Sequence, residues 1–220
     1  MDNFLVCGSP VTVLKDGDGP VIFFVTDRGE EAQVLPELEA QTGPVLSWQV
    51  PDWNRDLSPW PEKGLFRGGD FGGGAGRVLE ELKRELSVRG ADAPMGIAGY
   101  SLAGLFALYA LFETGLFQGA ASASGSLWYP GFLEYAKDKM KEGAQGQRRC
   151  VYLSLGEREP KARNPVMQTV GANTQAVYDL LAAQKETRCH FQWNPGGHFD
   201  DPGKRTAHGI NWLWHALSER

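Results

Sequence analysis

The sequence predicts an α/β fold: a mostly parallel central sheet with helices on both faces. Short β-rich runs alternate with longer helical ones along the chain, and several of the β-rich runs are apolar throughout, as strands buried on both faces are. With 220 residues, 42% of them hydrophobic, the chain can bury one substantial core and is too short to demand two. Residues 1–220 are therefore read as a single domain.

The strands are expected at VTVL (11–14), VIFFV (21–25), VLSWQV (45–50), MGIAG (95–99), GAASAS (119–124), VYLSL (151–155) and CHFQWN (189–194). Helical periodicity covers 76–86, 101–113, 132–141, 173–184 and 205–217. The segment EEAQVLPELEA is a weaker helix because Pro36 interrupts it. Ligands of such sheets bind beyond the carboxyl ends of the strands, so the chemistry belongs at that edge.

A long stretch without a clear element runs from 51 to 76. Loops of that length in compact domains are functional or disordered. Its aromatic residues Trp53, Trp60, Phe66 and Phe71 argue against disorder, since such side chains find partners to pack on. The stretch is either a packed surface loop or the lining of a substrate pocket, with Trp53 a candidate pocket residue.

Composition excludes several classes of partner. The formal net charge of −5 is spread without a basic stripe, so nucleic acid is not expected. No apolar run reaches the ~18 residues of a membrane span, and the N-terminus lacks a signal-type pattern, which reads as cytoplasmic with no membrane partner. Cys7, Cys150 and Cys189 are too few and too widely spaced for a disulfide framework or a zinc site, and are expected to be free thiols packed as small hydrophobes. HFDD (198–201) lacks further ligands at metal-site spacing, so no metal is expected. RGGDFGGGAG lacks the Gly-Lys-Ser/Thr of a phosphate loop.

The chemistry is concentrated in PMGIAGYSLAGLFALYALFETG (94–115). The order strand, Gly99, Tyr100, Ser101, Leu102, Ala103, helix is that of a nucleophile elbow, in which a strained turn lifts a serine hydroxyl above the sheet edge. Crowding admits only small residues two positions before and two after the serine. Gly99 meets this fully; Ala103 stands where the usual pattern has glycine. The competing role for Ser101 is a simple N-cap.

A serine nucleophile needs a base. His198, on the Gly-rich loop NPGGHF just after the last strand, has the right chain order, whereas His190 lies within a strand and His208 and His215 within the last helix. The orienting acid is expected in EREPKARNP after VYLSLG, where Glu157 and Glu159 both qualify; we assign it to Glu159. The oxyanion would be held by backbone N–H groups of Leu102 and of the loop after VIFFV, at Asp27 or Arg28, with Arg28 taken as the donor.

Together the stretches PVIFFVTD, FGGGAGRVLEEL, GIAGYSLAGLFALYALFETGLFQGAASASGSLWY, VYLSLGEREPKARNP and NPGGHF resemble the esterase branch of the α/β-hydrolases. That branch contains siderophore trilactone esterases, feruloyl esterases and S-formylglutathione hydrolases. The resemblance spans residues 20–200 and implies an α/β-hydrolase fold with Ser101 as nucleophile, His198 as base and the family's acid closest to Glu159. It implies that Trp128 in GSLWY borders the active site. The oxyanion loop departs from the family, with Asp27-Arg28 in place of the His-Gly or Asp-Gly pair. Little sequence separates Ser101, Glu159 and His198, which leaves no room for a large lid domain.

The expected function is hydrolysis of a small-molecule carboxylic ester through an acyl-enzyme, without a cofactor. An acyltransferase of the same fold and a non-catalytic binding protein on a hydrolase scaffold are the alternatives. Substrate identity and oligomeric state are not legible.

Overall fold

The computed structural model describes residues 4–65, 69–88, 93–142 and 148–219. Phe66, one of the aromatic residues expected to pack within the 51–76 stretch, lies outside them.

In chain order the elements are β1 (Phe4–Val6), β2 (Ser9–Lys15), β3 (Val21–Thr26), α1 (Glu30–Val34), β4 (Val45–Gln49), α2 (Trp53–Leu57), β5 (Pro61–Glu62), β6 (Phe71–Gly72) and α3 (Ala75–Val88). They continue with β7 (Met95–Tyr100), α4 (Leu102–Glu113), β8 (Gly119–Ala123), α5 (Phe132–Glu142), β9 (Arg149–Gly156), α6 (Pro165–Gln168), α7 (Val170–Ala182), β10 (Thr187–Asn194) and α8 (Pro202–Ser218). Among the described residues, eight strands form one sheet in the order β1-β2-β4-β3-β7-β8-β9-β10. The β1–β2 and β2–β4 pairs are antiparallel and the others parallel.

The central strands are buried on both faces: every residue of β3, β7 and β8 is buried. The small residues of β7 and β8 are there for the helices. A Cβ on Gly96 would meet Leu213 Cδ2 at 2.7 Å, and one on Gly119 would meet Leu213 Cδ1 at 2.6 Å. These glycines form a slot into which Leu213 of α8 sinks completely. Filling it contributes about 1.5–3 kcal/mol, the value of burying a leucine side chain. On the opposite face α4 is buried over ten of its twelve residues and forms the centre of the larger hydrophobic cluster with α3, α5 and α7.

The seven expected strands and five expected helices are all present, with modest shifts of boundary. The helix begun at 205 in the sequence reading starts at Pro202, a residue suited to a helix's first turn. Pro36 ends α1 and opens a 3-10 turn at Leu35–Glu37. The 51–76 stretch is more ordered than the sequence reveals. It holds α2, whose N-cap Asp52 accepts the Arg55 N–H at 3.1 Å, and the two-residue β5–β6 ladder. Within α2 the fully buried Asp56 is held by Arg55 at 2.8 Å and Arg77 at 2.6 Å. Elements of two to five residues are too short to show a periodicity.

Candidate active site

Ser101 sits between β7 and α4 with φ 55° and ψ −119°, a backbone conformation strained for any residue with a Cβ. The turn holds because its neighbours leave no alternative. A Cβ on Gly99 would lie 2.6 Å from Ala103 Cβ and 2.7 Å from Ala103 C, so the two small positions are in direct contact across the bend. Gly104 is confined too: a Cβ there would meet Ser122 Oγ at 2.9 Å and Gly125 Cα at 3.1 Å. The chain on either side is pinned by hydrogen bonds from Ser101 N to Ala123 O and from Ser126 N to Ser101 O, both 3.0 Å. Although Ser101 occupies the N-cap position, its hydroxyl makes no capping bond to the helix.

The hydroxyl instead faces His198, with Ser101 Oγ 3.0 Å from Nε2. His198 Nδ1 lies 2.8 Å from Glu159 Oε2. A carboxylate only accepts, so Nδ1 carries the ring proton and Nε2 is left as the acceptor for the serine hydroxyl. Ser101 follows β7, Glu159 opens a 3-10 turn after β9, and His198 follows β10, so all three stand at the carboxyl edge of the parallel strands. The Glu159 side chain is 5% exposed and that of His198 20%. Glu157, the other acid considered, is exposed two residues earlier.

A supporting layer around the triple was not singled out in the sequence. Arg205, in the first turns of α8 and 3% exposed, donates to Pro195 O at 2.7 Å, Gly197 O at 2.9 Å, Ser124 Oγ at 3.2 Å and Glu159 Oε1 at 3.4 Å. It ties both ends of the histidine's loop to the acid. Glu159 Oε1 also accepts the Gly156 N–H at 2.7 Å. Tyr100 donates to the His198 carbonyl at 2.5 Å. Asp200 accepts from Gly197 N–H and from Arg158, each at 2.7 Å, and these bonds hold its carboxyl below the usual range, the backbone bond first. No local sequence pattern marks Arg205; only the fold shows it turned inward.

Leu102 is the first residue of α4, so its N–H has no acceptor within the helix. The second expected donor is occupied. Arg28 N–H donates to Asp27 Oδ1 at 2.6 Å, and Asp27 N–H donates to Glu30 Oε2 at 3.2 Å. Burial pushes the Glu30 carboxyl up. The Asp27-Arg28 loop thus gives its N–H groups to its own carboxylates in this arrangement.

Ser101 opens into a pocket of about 180 Å³ lined by Trp53, Asn54, Phe71, Leu102, Ser126 and Trp128. Trp53 and Trp128 are therefore both at the serine, and Trp53, Asn54 and Phe71 come from the 51–76 stretch. Ser126 Oγ stands 3.3 Å from Ser101 Oγ. Among the described residues, no group of three or more His, Cys, Asp or Glu side chains could hold a metal ion, and no helix is long and apolar enough to cross a membrane. Cys7, Cys150 and Cys189 form no disulfide among the described residues, Cys150 being buried and the other two partly so.

No family model and no curated protein matches this sequence. Solved structures do. The siderophore hydrolase EstB from Aspergillus nidulans superposes with a TM-score of 0.70 at 19% identity, over 96% of this chain and 90% of that one. An IroE-like serine hydrolase from Shewanella oneidensis gives 0.72 at 20% identity, over 94% and 75%. Est1E from Butyrivibrio proteoclasticus, solved with ferulic acid bound, gives 0.57 at 11% identity, over the whole of both chains. With the strand order, the elbow after β7 and these superpositions, the chain has the α/β-hydrolase fold.

Proposed function

We propose that the protein is a serine hydrolase of carboxylic esters. The observation that carries this reading is the continuous relay from Glu159 through His198 to a serine hydroxyl on a strained elbow, with contacts of 2.8 and 3.0 Å. Names borne by its structural neighbours, siderophore hydrolase and serine hydrolase among them, support the same chemistry.

Ser101 Oγ attacks the ester carbonyl carbon while His198 Nε2 takes its proton. The charge that develops on the carbonyl oxygen is met by the Leu102 N–H at the start of α4. Collapse of the tetrahedral intermediate breaks the bond to the alcohol oxygen, which receives the proton from Nε2. Water then attacks the acyl carbon, again losing a proton to His198, and the acid departs as Ser101 recovers its proton. Glu159 keeps the imidazole in the required tautomer and stabilises its charged form.

The test is hydrolysis of short-chain p-nitrophenyl esters by the protein and by Ser101→Ala, with labelling by an active-site serine phosphonate. Activity and labelling that both vanish in the variant support the reading; equal activity in the two proteins, or no labelling of Ser101, sinks it.

A further inference from the structure

Two cavities meet at Trp128. The first is the pocket at Ser101, walled by Trp53, Phe71, Leu102 and Trp128; among the described residues its lining contains no ionisable side chain. The second, of about 490 Å³, is an apolar groove between α5 and the α6–α7 region, lined by residues that include Leu133, Pro165 and Val166. Trp128 belongs to both linings. Its indole is 7% exposed and packs 6.2 Å from the rings of Phe71 and Tyr129.

Proton transfer decides which half of an ester enters the pocket. The departing alcohol takes its proton from His198 Nε2 and must lie on that side of the serine. His198 is not part of the pocket lining, whereas Ser101 and Leu102 are. The pocket therefore receives the acyl half. On the histidine side Phe199 is 90% exposed, its ring edge-on to the imidazole at 5.2 Å. The alcohol half meets an apolar ring at the solvent boundary.

We propose that Trp128 is the wall that limits the acyl half to an uncharged group of about six carbons, and that Phe199 offers the alcohol half a loose apolar platform. The size follows from the volume: a cavity of ~150 Å³ holds benzene, and the pocket measures about 180 Å³. Truncating Trp128 joins the pocket to the groove behind it, which has room for a longer chain. The inference rests on the esterase reading and adds its substrate class: esters of short, uncharged acids with alcohols of varied size.

The experiment measures kcat/KM for p-nitrophenyl esters from acetate to laurate, with the unaltered protein, Trp128→Ala and Trp128→Phe. Butyrate esters of methyl, benzyl and naphthylmethyl alcohols form a second series. The unaltered protein should lose about tenfold or more between hexanoate and octanoate, since one methylene too many in a filled pocket costs ~10-fold or more. Trp128→Ala should raise the decanoate-to-butyrate ratio about tenfold or more, and Trp128→Phe, which keeps a ring against Phe71, by less. The alcohol series should vary less than the acyl series. An acyl profile that stays flat to laurate, or a cut-off unchanged in whichever Trp128 variant folds, overturns the proposal even if Ser101 is labelled and active. Loss of labelling and of all ester hydrolysis instead overturns the esterase reading, and the proposal with it.

Discussion

Replacing Arg205 by methionine removes four donated contacts while keeping most of the side chain's volume. The bonds to Pro195 O and Gly197 O, at 2.7 and 2.9 Å, have good lengths; those to Ser124 and Glu159, at 3.2 and 3.4 Å, are longer and weaker. A hydrogen bond from a charged donor contributes about 1.5–3 kcal/mol, so the two short ones alone amount to about 3–6 kcal/mol. That agrees with the ~3–5 kcal/mol lost when one partner of a buried ion pair is deleted. For a chain of this size each kcal/mol moves Tm by about 2–4 °C, which predicts a fall of roughly 6–20 °C. The histidine's loop would also lose its tie to Glu159, and misplacement of a catalytic group by about 1 Å costs ~100-fold in rate. The assays are thermal unfolding followed by circular dichroism, and steady-state kinetics well below the new Tm. The loss should fall on kcat with KM little changed, and Arg205→Lys, which keeps the charge without the fork, should lie between the two. A methionine variant with a Tm within about 2 °C of the unaltered protein and an unchanged kcat/KM would refute this account.

Three further outcomes are expected. Glu159→Gln should lose about 1,000-fold or more in kcat, as deletion of a triad acid's charge does, while Glu157→Gln on the exposed side of the loop should match the unaltered protein in the same ester assay. Asp200 should titrate below the ordinary value of 3.8, because Gly197 N–H and Arg158 favour its charged form. Since its folded-state pKa is depressed, its contribution to the loop's stability is present above the unfolded value and is lost as pH falls through the lower folded one; the Gly197 amide shift in a pH-titrated nitrogen–proton spectrum reports the midpoint. Burial pushes the Cys189 thiol up to about 12 and also raises that of Cys7, so both should resist iodoacetamide at pH 8 in the native protein and react on unfolding, as counted by mass spectrometry.

The elements that sequence made legible are those whose pattern repeats. VIFFV and MGIAG are buried on both faces, and a continuous apolar or small-residue run says so. That Ser101, Glu159 and His198 come together is legible because each follows a strand at the same edge of the sheet. What stayed hidden depends on direction in space. Nothing local marks Arg205 as turned into the protein, and Ser126 reaches the site only because the chain after β8 folds back to hydrogen-bond the elbow. Likewise α2 is held by Asp52, Asp56 and their arginine partners, polar contacts that leave no hydrophobic period. The Asp27-Arg28 loop was correctly placed after β3, but which acceptor each N–H finds depends on Glu30 and on the Asp27 side chain, a matter of rotamers.

Helix α8 follows Ser101, Glu159 and His198 in the chain, yet it carries the guanidinium that ties Glu159 to the loop bearing His198, and its Leu213 fills the slot in β7 and β8. Chains emerge from the ribosome in sequence order. Ser101, Glu159 and His198 are therefore all synthesised before the helix that fastens the loops they stand on. While α8 is still inside the exit tunnel, the nascent sheet exposes an apolar slot and an unfastened histidine loop. The arrangement of Ser101, His198 and Glu159 is therefore complete only once α8 has docked against it.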